Sequence, residues 1–206
     1  MRRVLALADS WIRALRGTLT EAAPQLSEMQ LERLRDHVSQ FAWRADCPDA
    51  RAIAEFFPAT QYSRHVVAST GAYQMLLIVW PPNFETTLHD HDGLWGIELV
   101  LDGTLAVEEF HASRARAETT LAQRRSLVLG IGDAAIFAGV DYVHKCRNLS
   151  ANQAALSLHI YGGDLASYQT YFADRAGGYR VRSSRAQIDT VRIESDLGGL
   201  LCNASR

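Results

Sequence analysis

The chemistry of this chain is concentrated in Leu88-His89-Asp90-His91 and in a third histidine, His144. Side chains alternate faces along a strand, so two histidines one residue apart point the same way. A fold that brings His144 alongside them completes a metal site. A second pattern lies downstream in Ser157-Leu158-His159-Ile160-Tyr161. Ser157, His159 and Tyr161 share one face there, and a hydroxyl, an imidazole and a phenol in a row can form a hydrogen-bonded relay. Taken singly, a strand histidine is more often a surface or satisfied core residue, and a polar-alternating strand a solvated face. Three histidines followed by such a relay in one β-rich chain shift that balance.

The elements that must position these residues fall into two textures. Residues 1–57 read as helical. Val4, Ala8, Trp11 and Leu15 recur at helical spacing, and Gly17 and Pro24 punctuate the chain. A second helix is expected from Ser27, with Glu28 and Glu32 near its N-terminus and an apolar face of Met29, Leu31, Leu34, Val38 and Phe41. Asp49, after the breaker Asp46-Cys47-Pro48, is placed to cap a short helix through Ala52, Ala54 and Phe57.

From Tyr62 the chain becomes short β-rich runs: 63–68, 73–80, 86–91, 95–101, 104–110, 126–130, 134–138, 144–148 and 154–161. Their even spacing indicates an all-β sandwich or barrel. Asp102-Gly103 is the strongest hairpin signal. The polar stretch from His111 to Arg125 reads as a long solvated connection. Leu165 to Arg175 reads as a short helix or turn, and the segment beyond Gly178 as irregular. One domain over 1–206 is expected, with a helical layer (1–57), a barrel (58–185) and a tail (186–206).

The formal net charge of −2 and the interspersed acids and bases give no footprint for nucleic acid. Cys47, Cys146 and Cys202 are three in number, with no CxxC pair, which argues for reduced thiols. Asp9 and Arg13 break the apolar N-terminal run, and no stretch approaches the ~20 apolar residues of a membrane span. A soluble, cytoplasmic protein is expected; the oligomeric state is open.

The HxH…H arrangement resembles the cupin superfamily, a jelly-roll barrel with a metal inside. Gly103 matches the closing glycine of its first motif, and His144 with Asn148 matches its second. Asn83 stands where cupins have a glycine, and Trp95 and Gly96 where they carry a glutamate ligand. Three neutral imidazoles leave a divalent metal its full charge, which an anionic thiolate can offset. Glu98 is nearby, but seven residues beyond His91 it falls on the opposite strand parity and is not expected as a ligand.

With the relay, the pattern is similar to the thiol dioxygenases, the cysteine dioxygenase family of cupins, over roughly half the chain. The resemblance implies iron(II) held by His89, His91 and His144, with Ser157, His159 and Tyr161 as the catalytic relay. It also implies that Arg64 of Tyr62-Ser63-Arg64 binds a substrate carboxylate, and that Trp80 falls at a family tryptophan beside the substrate. Gly96 takes the place of a cysteine that crosslinks the relay tyrosine in animal members, so Tyr161 should be an unmodified phenol. Arg64 and Thr170 stand where members preferring 3-mercaptopropionate have glutamine and a second arginine.

The implied reaction adds both atoms of O2 to the sulfur of a small carboxylated thiol, L-cysteine first, with apolar barrel residues such as Leu77, Val79 and Ile136 excluding water. The alternatives are a dioxygenase for 3-mercaptopropionate or mercaptosuccinate, a zinc or manganese cupin isomerase or hydrolase, and a non-catalytic ligand-binding cupin. A second cation near Arg64 would favour mercaptosuccinate.

Overall fold

The computed structural model describes residues 2–19, 25–50, 59–115, 118–175, 177–193 and 200–203. Three strands explain the layering. β2 (Gln74–Trp80), β4 (Gly96–Asp102) and β9 (Ala155–Tyr161) are buried along nearly their whole length. A strand covered on both faces carries apolar residues at successive positions instead of alternating with polar ones. Met75, Leu77, Val79, Ile97, Leu99, Leu156, Leu158 and Ile160 form one face and pack on the helices. Leu76, Ile78, Trp80, Val100, Ala155 and Tyr161 form the other, inside the barrel. Leu77 and Val79, with the partly buried Ile136, therefore belong to the helix-facing core and not to the cavity wall expected for them.

The helical layer is α1 (Arg2–Leu19) and α2 (Glu28–Ser39), continued by a 3-10 turn Gln40–Trp43. Ser27 caps α2: its hydroxyl accepts from the Gln30 backbone, and the Gln30 side chain accepts from the Ser27 backbone. Trp11, Leu15, Leu31 and Val38 are buried against β2, β4 and β9, and Trp11 donates its indole N–H to the Phe41 carbonyl at 2.9 Å. Met29, expected on the apolar face, is 58 % exposed. The short helix expected from Asp49 falls mostly on 51–58, outside the described residues. Among the described residues no helix is long and apolar enough to cross a membrane.

The remaining strands are β1 (Ser63–Ser69), β3 (Leu88–His89), β5 (Leu105–Ala115), β6 (Glu118–Leu129), β7 (Ala134–Phe137), β8 (Tyr142–Asn148), β10 (Ser167–Ala173), β11 (Tyr179–Arg185), β12 (Thr190–Ile193) and β13 (Leu200–Asn203). They complete a seven-stranded sheet, β13-β12-β1-β2-β9-β4-β7, and a six-stranded one, β11-β10-β3-β8-β5-β6. The architecture is mainly β, a barrel of two sheets with N-terminal helices packed on the seven-stranded one.

Several expectations fail here, each for a physical reason. Asp102-Gly103 does not close a hairpin. β4 pairs with β7 and β9, β5 with β6 and β8, so this turn carries the chain from one sheet to the other. Gly103 has φ +81°, and a Cβ there would stand 2.6 Å from that of Ala155. The hairpin lies later, where 111–125, expected as a solvated connection, forms the middle of the long β5–β6 pair. β6 is mostly exposed on both faces, so ladder hydrogen bonds hold it without any apolar alternation. β10 and β11 replace the short helix and irregular segment expected after Leu165, and β12 runs parallel to β1. The strand expected over 86–91 shrinks to Leu88–His89, because Asp92 (φ +54°) and Gly93 (φ +77°) turn the chain out of the ladder.

The crossover reading sets two glycines apart. Gly103→Ala should destabilise the chain by about 1–3 kcal/mol, through its positive φ and the clash with Ala155. Gly71→Ala, with open space around it, should change stability by less than about 1 kcal/mol in either direction. Urea unfolding midpoints compare the two, and equal midpoints would contradict the crossover.

Candidate metal centre and its cavity

His89 of β3 and His144 of β8 are directly opposed across the antiparallel ladder. Their Nε2 atoms lie 3.3 Å apart. His91 closes the group, its ring 5.2 Å from that of His89 and 4.8 Å from that of His144. One donor atom from each histidine lies within 4.8 Å of the others. The outer edges are held. His89 Nδ1 donates to the Thr87 carbonyl at 2.9 Å, which leaves the lone pair on the Nε2 that faces the centre. His144 Nδ1 meets the Tyr142 hydroxyl at 3.3 Å, and His91 lies flat on Phe137 at 4.2 Å.

Asp90, between the two histidines, accepts from the Gln169 backbone at 2.8 Å and from the Tyr171 hydroxyl at 2.8 Å. It thereby pins the histidine segment to β10.

Burial holds His91 and His144 well below the usual imidazole range. It brings His89 down to about 4, with the nearby Arg64 charge acting in the same direction. All three are neutral at pH 7. The buried His91 Nδ1 has no hydrogen-bond partner. Three converging neutral donors suit a divalent cation, so the residues fit the metal that the resemblance implies.

The relay is also assembled. Trp80 Nε1 donates to Ser157 Oγ at 2.7 Å, Ser157 Oγ meets His159 Nε2 at 2.9 Å, and His159 Nδ1 meets Tyr161 Oη at 3.2 Å. The order of donors follows. Indole can only donate, so Ser157 accepts from Trp80 and gives its own proton to His159 Nε2. His159 then carries its proton on Nδ1 and donates to Tyr161. Arg64 also hydrogen-bonds the Tyr161 oxygen. The phenol proton is thus left for the cavity. Burial pushes His159 down to about 3 and the Tyr161 phenol upward, keeping both neutral.

A cavity of about 340 Å3 opens onto these groups, lined by Tyr62, Arg64, Trp80, Phe84, the three metal-site histidines, His159 and Tyr161 among others. Tyr62 stacks on Phe84 at 4.5 Å and meets Trp80 edge-on at 5.2 Å. Arg64 is buried and is the one Lys or Arg among the described lining residues. The nearby carboxylates Glu85 and Asp90 pair with other groups, Glu85 with Lys145 and Asp90 with Arg114 and Tyr171. Gly96 faces Tyr161 across the β4–β9 ladder, and Phe137 fills the space where a side chain at 96 would go, 2.1 Å from a Cβ built there.

Sequence reasoning missed several residues. Glu98 is fully buried, 3.9 Å from His144 Nδ1 and 3.6 Å from His159 Nε2, and burial pushes its carboxyl up to about 7. The parity argument against it fails because the turn at Asp92 and Gly93 resets the strand phase. Cys146 and Tyr142 stand two residues either side of His144 on β8, so alternation already placed both on its face. Tyr142 links that histidine to Glu109, which is buried and held by both ends of the Arg125 guanidinium.

A model of the cysteine dioxygenase type I family matches residues 14–174. The chain belongs to that family. It is 23% identical over 116 residues to cysteine dioxygenase type 1 of Danio rerio, which covers 56% of this chain and 58% of that protein. The chain thus spans less than two thirds of that cysteine dioxygenase. Among solved structures, TT1209 from Thermus thermophilus aligns with TM-score 0.42 and 22% identity over 56% of this chain and 95% of its own. KdgF from Halomonas sp. aligns with TM-score 0.39 and 19% identity, over 53% and 84%.

The buried neutral histidines have a consequence for stability. His89 and His159 have folded-state values of about 4 and 3, below the ordinary 6.5. The unfolded chain therefore binds more protons as pH falls through 6.5. The metal-free chain should lose stability from pH 6.5 down to about 4, by up to about 1.4 kcal/mol per pH unit per histidine. Thermal unfolding across that range measures it, and a flat profile would contradict buried neutral imidazoles.

Proposed function

We propose that this chain is an iron(II)-dependent thiol dioxygenase that converts a small carboxylated thiol, foremost L-cysteine, to its sulfinate. The observation that carries the substrate class is Arg64. Its guanidinium is buried in the wall of the cavity that holds the three histidines, its Nε lacks a hydrogen-bond partner, and no carboxylate among the described residues pairs with it. A buried cation without a counter-ion is costly, and a substrate carboxylate supplies the counter-ion. Family membership supports the reaction type.

His89, His91 and His144 would hold iron(II), which when bound gives the thiolate and O2 a common place to react. Thiolate plus O2 gives sulfinate with no further reductant, so the chain's own residues position and protonate. Arg64 takes the carboxylate with a planar fork, a task lysine performs less well. The Tyr161 hydroxyl, its oxygen already accepting from His159 and Arg64, holds a proton towards the reacting sulfur. Tyr62, Phe84 and Trp80 form an aromatic wall that limits water.

The absence of a second Lys or Arg among the described lining residues weighs against mercaptosuccinate, which carries two carboxylates. For the 3-mercaptopropionate reading, Thr170 is buried on β10 and donates to the Arg182 carbonyl, so its position offers no cation. A zinc hydrolase needs an acid–base carboxylate in the cavity, and Glu98 is not among the lining residues.

The test is anaerobic iron loading followed by oxygen uptake with a panel of thiols. Cysteine should give uptake coupled to sulfinate. Arg64→Ala should lower kcat/KM for cysteine roughly 100-fold, the loss of about 2–3 kcal/mol from a charge-assisted contact, and lower it far less for cysteamine, which loses only the Arg64 contact to Tyr161. Equal losses with both thiols would refute the clamp, and no uptake with any carboxylated thiol would refute the dioxygenase. His144→Ala should lose bound iron by metal analysis.

A further inference from the structure

His144 presents its two ring nitrogens to two different groups of donors. Nε2 faces His89 and the three-histidine centre. Nδ1, on the opposite edge, lies 3.6 Å from Cys146 Sγ and 3.9 Å from Glu98 Oε2, and Sγ lies 3.4 Å from that same oxygen. All three side chains are buried. The ladder explains the convergence: Cys146 follows His144 by two residues on β8, and Glu98 reaches across from β4 in the other sheet.

The three atoms form a nearly equilateral triangle. Its centre lies about 2.1 Å from each, against the 2.0–2.3 Å at which zinc takes nitrogen, oxygen and sulfur ligands. A thiolate, an imidazole and a carboxylate together select a borderline-soft cation over magnesium or calcium. The Cys146 thiol donates to Glu98 Oε2, the same oxygen that faces His144 Nδ1, whereas Oε1 is turned to His159 Nε2 at 3.6 Å and takes no part in the triangle. Cys146 also lines the cavity, so an ion that enters by its mouth reaches the sulfur.

We propose that His144, Cys146 and Glu98 form a second metal site, for a thiophilic divalent cation such as Zn2+, back to back with the three-histidine centre through one imidazole. With both sites filled, the Cys146 thiol and the His144 imidazole each release a proton to solvent, leaving a thiolate ligand and a bridging imidazolate. The Tyr142 hydroxyl yields its contact with Nδ1 and keeps Glu109 as its partner. The site depends only on these donors and not on the reaction proposed above.

Cobalt(II), a coloured substitute for zinc, tests it on the 206-residue chain without any turnover assay. Cobalt should produce a thiolate-to-metal charge-transfer band in the near ultraviolet, and added zinc should bleach it. Cys146→Ser should abolish the band. His89→Ala, which removes a ligand from the three-histidine centre, should keep it. Glu98→Gln, close in shape to the native residue, should weaken cobalt binding at least about tenfold while circular dichroism stays unchanged. No band with excess cobalt overturns the proposal. So does a band that survives Cys146→Ser, which places the metal on another cysteine, and so does its loss in His89→Ala. Because the readout is spectroscopic, a chain that shows the band yet takes up no oxygen refutes the dioxygenase and leaves the second site standing.

Discussion

The contact between His89 and His144 across β3 and β8 is the constraint on which the rest depends. β3 is two residues long, too short to hold its place by ladder hydrogen bonds alone. It is held instead by Asp90, whose carboxylate gathers the Gln169 backbone, Tyr171 and Arg114. β10 thereby does more than extend a sheet: it fixes the direction of two imidazoles. The same strand pairs Thr170 with His89, so the histidine segment is clasped between β8 on one side and β10 on the other.

Around that contact the barrel interior is unusually polar for a core. His91, His144 and His159, with Glu98, Arg64 and Tyr161, are buried between the two sheets beside the half-buried His89, and the seven-stranded sheet is backed by the apolar helical layer. Such burial is tolerable where each group is neutral or has a partner. The relay meets that condition through a single order of donors from Trp80 to Tyr161. Arg64 and Glu98 meet it least well, and these are the places where the chain has capacity left for something from outside. The helices contribute by closing the far face of β2, β4 and β9, which makes the seven-stranded sheet a stiff wall behind the relay.

Much of the site was legible because it rests on alternation over two residues. His89 with His91, and Ser157 with His159 and Tyr161, need only a strand to come into line. Arg64 and Trp80 came from the resemblance, since neither has a local pattern that marks it. What escaped was whatever depends on which strands neighbour which. Asp102-Gly103 has the residues of a hairpin, yet its partners lie in different sheets, and only Ala155 packed against Gly103 records the crossover. Glu98 was lost to two residues of positive φ, which shift strand phase without an apolar signature. The β5–β6 pair was lost because exposed strands rich in threonine and arginine resemble loops. Leu77 and Val79 were assigned to the wrong face, because a strand buried on both sides does not mark which side is the cavity.

Gly96 and Phe137 carry a consequence for how this centre can change over time. The phenyl ring occupies the volume that any side chain at 96 would need, directly across the ladder from Tyr161. The same ring is the platform under His91. A larger residue at 96 therefore requires a smaller one at 137, and that exchange removes the support of a metal-site imidazole. The two positions form a ratchet: each single step is blocked by the other, and the bare phenol of Tyr161 persists because the route to modifying it passes through the loss of a histidine's footing.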